Sequence, residues 1–274
     1  MTEISMDTFN KNVYKTNTTP IHPFDLASAL PQPSTSWSAN TTKIRLVLNY
    51  KRIPYTQSYT SYPNIAPILS SLGIQPHPAA SANPAPYTLR AITHPSLISD
   101  RNPHGALLDS LPIAQHLDKV FPGPSIFPAG AKSVNLVITV NDAMSTVIQK
   151  GIPLLLPATL PTPDLWGGEY LARTWEWKLG KAVEEMKPSS EIDVQRICED
   201  MAEAMKPVVA LLQQTREGVY FEGQQPGFAD FVLVGLLAWF KRVDKRVWDA
   251  VTGYGKEIKA VWDGCKELLV QMGE

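Results

Sequence analysis

Proline is spread so unevenly along this chain that it divides the molecule before any other feature is considered. Of the 24 prolines, only Pro188, Pro207 and Pro226 follow Asp164. A proline fixes its own φ and removes a backbone donor, so a helix interior tolerates few of them. The front of the chain must therefore be built from short elements, while the back is open to long helices. Helical apolar spacing predicts helices there over 131–150, 166–187, 192–216, 228–243 and 256–272.

The front reads as a succession of short pieces. Strands are predicted over 21–26, 55–62, 87–92 and 97–99, the last two joined by a turn at His94-Pro95. Helices are predicted over 43–52, 65–72 (closed by Gly73) and 109–120. This β-α-β-α-β-β-α order resembles a thioredoxin fold. The fold class is thus α/β plus all-α: a thioredoxin-like unit over 21–120, a Pro/Gly linker FPGPSIFPAG over 121–130, and an all-helical unit over 131–274. Residues 1–20 read as a polar, flexible extension.

Charge excludes several functions. With 25 basic and 26 acidic residues, nothing in the balance draws the chain to nucleic acid. The richest apolar run, over 228–240, is broken by Asp230 and falls short of the roughly 18 residues a membrane helix needs. The opening residues carry no apolar signal core, which predicts a cytoplasmic protein. Cys198 and Cys265 lie far apart and no CxxC occurs, so both are expected to be idle thiols. The five histidines show no metal spacing, and no metal is expected. Trp239, Trp248 and Trp262 read as core.

Three segments resemble the glutathione transferase superfamily in order and spacing: WSANTTKIRLVLNYKRIPY over 37–55, LLDSLPIAQHLDKVFPGPSIFP over 107–128, and GFADFVLVGLLAWFKRV over 227–243. The wording WS-x-N-T and YTL…HPS is most similar to the fungal, etherase-like serine-type class. The resemblance implies glutathione as co-substrate, a hydrophobic, aromatic second substrate, and a homodimer.

The residues support this at two helix starts. Ser38 precedes a helix whose first turn, Ala39 to Thr42, carries no charge. Helix N-termini expose unpaired N–H groups and positive potential. A thiolate placed there is stabilised. Glu or Gln at Thr41 would complete a capping box and fill that end; neither is present. By resemblance Ser38 is the catalytic serine and Asn40 a second donor, although a plain N-cap would use the same serine. Asp109 and Ser110 open another helix, with Pro112 tolerated in its first turn. By resemblance they grip the γ-glutamyl end of glutathione, Asp109 taking its ammonium.

One departure runs against the resemblance. Relatives carry a cis-proline before the third strand, in a pattern like YTLPVI, and its backbone edge pairs with the cysteinyl part of glutathione. Here the segment is YTLRAI, so Leu89, Arg90 and Ala91 occupy that edge. A cis bond before a non-proline residue costs about 2.5–4 kcal/mol, which predicts a trans peptide and a weakened clamp. Arg90 is either a carboxylate ligand or a surface residue. A second departure, Gly227 in place of the family's Ser or Thr, concerns folding, and Asp230 is expected to satisfy backbone N–H groups there.

The second-substrate wall is expected at Trp37, Trp166 and Tyr170, with Trp177 on the same helical face as the last two. Three functions remain open. The chain conjugates glutathione to an electrophile or cleaves an ether with it; or it is a glutathione-independent isomerase, cyclase or lyase of specialised metabolism; or it binds hydrophobic molecules without catalysis.

Overall fold

The computed structural model describes residues 20–31, 35–78, 85–215 and 217–270. The extension expected over 1–20 lies almost wholly outside them, as does part of the loop after residue 75.

The front of the chain forms a four-stranded sheet in the order β2-β1-β3-β4. Its strands are β1 (His22–Leu26), β2 (Ser58–Thr60), β3 (Ala91–Thr93) and β4 (Ala106–Leu108). β1 pairs in parallel with β2, Phe24 opposite Ser58, and antiparallel with β3, where Phe24 faces Ala91. β3 continues antiparallel onto β4, Ala91 opposite Leu108. Helices α1 (Ala39–Tyr50), α2 (Tyr62–Ser71) and α3 (Ser110–Val120) connect and cover the sheet. This is the mixed thioredoxin-like pattern the sequence predicts.

The fourth strand is not where the sequence placed it. The segment at 97–99 belongs to a 3₁₀ turn, Pro95–Leu97, followed by an isolated bridge from Ser99 to Asn102. Proline in the first turn suits that helix start. The chain returns through Gly105 at φ 59, where a Cβ would sit 2.3 Å from the His94 carbonyl oxygen. Only glycine fits that close approach, and β4 forms directly after it.

The helical part comprises α4 (Ala131–Thr159), α5 (Leu165–Leu179), α6 (Glu191–Glu203), α7 (Lys206–Gln213), α8 (Phe228–Val243), α9 (Lys245–Gly253) and α10 (Lys256–Cys265). α4 runs nine residues past its predicted end, through Pro153 and Pro157. Proline inside a helix costs about 3 kcal/mol, but burial of Leu154, Leu155 and Leu156 on this stretch offsets it. The predicted helix over 192–216 is instead two helices. The break falls at Ala204 and the buried Met205, with Pro207 in the first turn of α7. α9 has no counterpart in the sequence reading.

α8 is the axis of the molecule, packed against both α1 and α4. Eleven of its residues are buried, from Phe228 to Phe240. At its start Asp230 is fully buried and accepts from the backbone N–H of Gly227 (2.8 Å) and of Phe221 (3.1 Å). The linker is pinned to the same helix start. Ile126 is buried and its carbonyl accepts from Phe228 N–H at 2.9 Å.

Candidate active site

α1 begins at Ser38, whose backbone is extended (φ −70, ψ 125) and whose carbonyl accepts from Thr42 N–H at 2.9 Å. The Ser38 side chain makes no capping hydrogen bond, and the first turn carries no acid. A sequence cause is visible at Thr41. Its hydroxyl lies between the Asp25 carboxylate on β1 and the Ser38 carbonyl oxygen, 3.2 Å from the latter. Asp25 is itself buried, and it also accepts from Gln57 Nε2 at 2.9 Å and its neighbour Leu26 N–H at 2.7 Å. The helix start is thereby tied to the sheet, and the Ser38 side chain is left without a capping role.

Ser38 lies where two cavities meet. One, about 280 Å³, runs between α1, α4, α5 and α8, with Trp37, Ile148, Leu155, Trp175 and Trp239 in its walls. The other, about 230 Å³, runs toward the segment before β3 and includes Leu26, Leu89 and Tyr170. Ser38, Asn40, Tyr62, Leu171 and Trp175 belong to both. Neither has a charged side chain in its lining. A neutral, apolar ligand suits such walls, with the few polar groups fixing its orientation.

Of the predicted wall residues, Trp37 and Tyr170 each line one of these cavities and Trp166 lines neither. Trp37 is buried and its indole N–H points to Ala27 O at 3.4 Å. Tyr170 stacks on Tyr62, ring centroids 6.3 Å apart at 15°. Trp166 is 67% exposed and Trp177 79% exposed, and neither lines a cavity. The inward face of α5 is instead Gly167, Tyr170, Leu171, Thr174 and Trp175. Gly167 lets α2 approach: a Cβ there would stand 3.3 Å from the Tyr62 ring and 2.5 Å from Asp164 Oδ1. Ser61 Oγ donates to that same oxygen at 3.0 Å, latching the starts of α2 and α5 together. Trp239, read from sequence as core, is a cavity wall whose indole N–H donates to Thr159 Oγ1 at 3.1 Å.

Tyr62 and Trp175 were missed in the sequence. The sequence reads Tyr62 as the last residue of a strand over 55–62, whereas it opens α2. Trp175 lay in a predicted helix, but the assumed face was that of Trp166. Burial pushes the Tyr62 phenol well above its usual range, so it remains a hydrogen-bond donor at any working pH.

The second helix start is held by Arg90. Its Nη2 lies 3.2 Å from Asp109 Oδ1, and its Nη1 reaches Asn40 Oδ1 at 3.5 Å. Its backbone carbonyl also accepts from Asp109 N–H at 2.9 Å. Asp109 precedes α3 at φ 73 and makes no side-chain capping bond. A non-glycine residue in this region stores backbone strain, a recurrent property of functional sites. Ser110 follows, nearly buried, as the first residue of α3. Leu89 and Ala91 flank Arg90 and are both buried, Ala91 within the sheet. The structure therefore gathers Ser38, Asn40, Arg90, Asp109 and Ser110 along one edge of the front unit.

No group of three or more metal-ligating side chains occurs among the described residues. His94 is buried against Phe121 and bonds His116 at 2.8 Å and Ser96 at 2.7 Å. Cys198 and Cys265 are buried free thiols, both pushed up by desolvation. Among the described residues no helix is long and apolar enough to cross a membrane.

Comparison with known proteins matches this arrangement twice along the chain. Residues 34–125 match the glutathione S-transferase N-terminal domain and 138–268 the glutathione S-transferase C-terminal domain. The glutathione S-transferase-like protein ustS of Aspergillus flavus is 42% identical over 95% of this chain and 95% of its own length. This chain belongs to the glutathione transferase superfamily. Among solved members, a glutathione S-transferase of Ceriporiopsis subvermispora, crystallised in complex with glutathione, is 26% identical and superposes with a TM-score of 0.78 over 93% of this chain and 100% of its own. Glutathione transferase GSTFuA2 of Phanerochaete chrysosporium shares the fold, with 23% identity, a TM-score of 0.76, and coverage of 92% of this chain and 99% of its own. The chain is accordingly a glutathione transferase-like enzyme.

Proposed function

We propose that this enzyme activates the glutathione thiol at Ser38 and transfers it to an uncharged, aromatic electrophile held in the two-lobed cavity. One observation carries the reading: the Ser38 side chain is unused by its own helix and sits where two uncharged cavities meet. A thiolate there receives the α1 N-terminus and a hydroxyl donor, with Asn40 beside it. Asp109 and Ser110 hold the γ-glutamyl end, and the backbone of Leu89, Arg90 and Ala91 offers an edge to the cysteinyl part. The domain division follows: 21–120 binds glutathione, 121–130 links, and 131–274 builds the acceptor wall. Conjugation and ether cleavage both use this site, and we assign the protein to the cytoplasm as a homodimer.

A second reading has one observation in its favour. Arg90 pairs with Asp109 where the resemblance implies the ligand's ammonium, so glutathione competes with an internal cation, and an isomerase or lyase without glutathione would retain the same cavity. Calorimetric titration with glutathione, followed by an aryl-halide assay, separates the two. Binding with conjugation, lost in Ser38→Ala, is expected. No binding at millimolar glutathione would leave the glutathione-independent enzyme or a binding protein.

A further inference from the structure

Tyr62 opens α2 and lines both cavities beside Ser38 and Asn40. Its ring is held on several sides. Tyr170 stacks on it, Trp37 meets it with centroids 6.5 Å apart at 50°, and the missing side chain of Gly167 gives the ring room. Ser61, the residue before it, is latched to Asp164. The phenol is thus set in place before any ligand arrives.

Among the described residues its hydroxyl makes no hydrogen bond. A tyrosine hydroxyl drawn out of bulk water ordinarily finds a partner. Nor is this oxygen sealed in: the enclosed side-chain atoms left unpaired among the described residues are Thr35 Oγ1, Arg45 Nε and Arg90 Nε. The hydroxyl therefore meets open space, and the open space that Tyr62 borders is the two cavities.

Other polar groups of the larger cavity are committed. Thr159 donates to Leu155 O at 2.7 Å and accepts from the Trp239 indole. The Trp37 indole points to Ala27 O. Ser38 and Asn40 are assigned to the sulfur. Among the described residues that leaves two side-chain donors for the acceptor, the Tyr62 hydroxyl and the Trp175 indole N–H. An O–H donor makes the shorter bond to an anionic oxygen. Burial holds the Tyr62 phenol in its protonated form, so it gives a hydrogen bond without giving up its proton.

We propose that Tyr62 is a catalytic residue whose hydroxyl donates to the acceptor oxygen on which negative charge builds, and that the acceptor is an aromatic α,β-unsaturated carbonyl compound. This rests on the glutathione reading and deepens it by naming the electrophile. The step is an addition. The thiolate sulfur bonds to the β-carbon, the C=C electron pair moves toward the carbonyl, and its oxygen becomes an enolate oxygen hydrogen-bonded to Tyr62. Water then supplies a proton to the α-carbon, balancing the one the thiol gave to solvent. No group leaves. The cavity walls carry no charge, so a preorganised neutral donor is what they offer that oxygen. Displacement of halide from a nitroarene spreads its charge over ring and nitro groups and gains less from one donor.

The test compares two electrophiles, benzylideneacetone and chlorodinitrobenzene, with glutathione in the wild type, Tyr62→Phe and Trp175→Phe. In Tyr62→Phe, kcat for benzylideneacetone is expected to fall about 100-fold, the scale of losing one oxyanion donor, and kcat for chlorodinitrobenzene about threefold. The melting temperature of Tyr62→Phe is expected to match that of the wild type, because the hydroxyl has no bond in the fold to lose. A loss in Tyr62→Phe no larger for benzylideneacetone than for chlorodinitrobenzene would overturn the proposal, as would a selective loss in Trp175→Phe instead. A wild type that conjugates chlorodinitrobenzene but not benzylideneacetone would overturn it and leave the glutathione reading standing. A wild type that conjugates neither would overturn both.

Discussion

Arg90 Nη2 stands 3.2 Å from Asp109 Oδ1, an ion pair that closes the gap between β3 and the start of α3. Its side chains are 21% and 48% exposed, so solvent screens it and its contribution to stability is expected to stay below about 1 kcal/mol. Its effect on ligand binding should be larger. Arg90→Ala frees Asp109 for the ligand's ammonium and is expected to tighten glutathione several-fold. Asp109→Asn is expected to weaken it about tenfold, the loss of one charge-assisted bond of about 1.5 kcal/mol. Calorimetry on the two variants checks the opposite signs.

Asp230 gives the fold a pH signature. Burial pushes its carboxyl up to about 7, against the lowering effect of the Gly227 and Phe221 N–H groups. With a folded pKa above the unfolded value, the native state binds the extra proton between pH 4 and 7, so stability is greatest at the acid end and falls as pH rises through that window. Asp230→Asn removes the titration and places an amide NH₂ against one of the two backbone donors. It is expected to lose about 2 kcal/mol and to flatten this component. Urea midpoints from pH 4 to 8, compared between the two proteins, read both effects.

Gly235 sets how closely α8 approaches the active-site helix. A methyl there meets the Ala39 carbonyl oxygen at 3.1 Å and Lys43 at 3.2 Å. Overpacking of this kind costs about 1–3 kcal/mol. Gly235→Ala is expected to lower Tm by several degrees and to reduce kcat/KM disproportionately, since the displaced element carries Ser38. Calorimetric melting and a steady-state assay give the two numbers.

The two tryptophans of α5 should behave differently. Trp166→Ala, at an exposed position, is expected to leave KM for the aromatic acceptor within about twofold. Trp175→Ala strips an aromatic wall from both cavities and is expected to raise that KM about tenfold, in line with the loss of 1–3 kcal/mol of hydrophobic contact. Parallel KM measurements decide whether the inward face of α5 binds the acceptor.

Much of this was readable from the sequence, and the failures have physical causes. Proline placement predicted the division between short elements and long helices, and the uncharged first turn after Ser38 marked the open helix start. Pro153 and Pro157 misled because tertiary burial of Leu154–Leu156 overrides a local breaker. The fourth strand was misplaced because Gly105, whose close backbone contact starts β4, has no signature beyond being glycine. On α5 three aromatic residues share helical spacing, but Gly167 reveals which face is inward only once α2 is seen against it.

The central claim is that a sulfur anion rests at the amino end of α1. A crystal structure of the protein grown with glutathione tests it most directly. The account predicts the sulfur within hydrogen-bonding reach of Ser38 Oγ, facing the two cavities, with the γ-glutamyl group at Asp109 and Ser110. A complex with the sulfur elsewhere, or a vacant helix start at saturating glutathione, would contradict it.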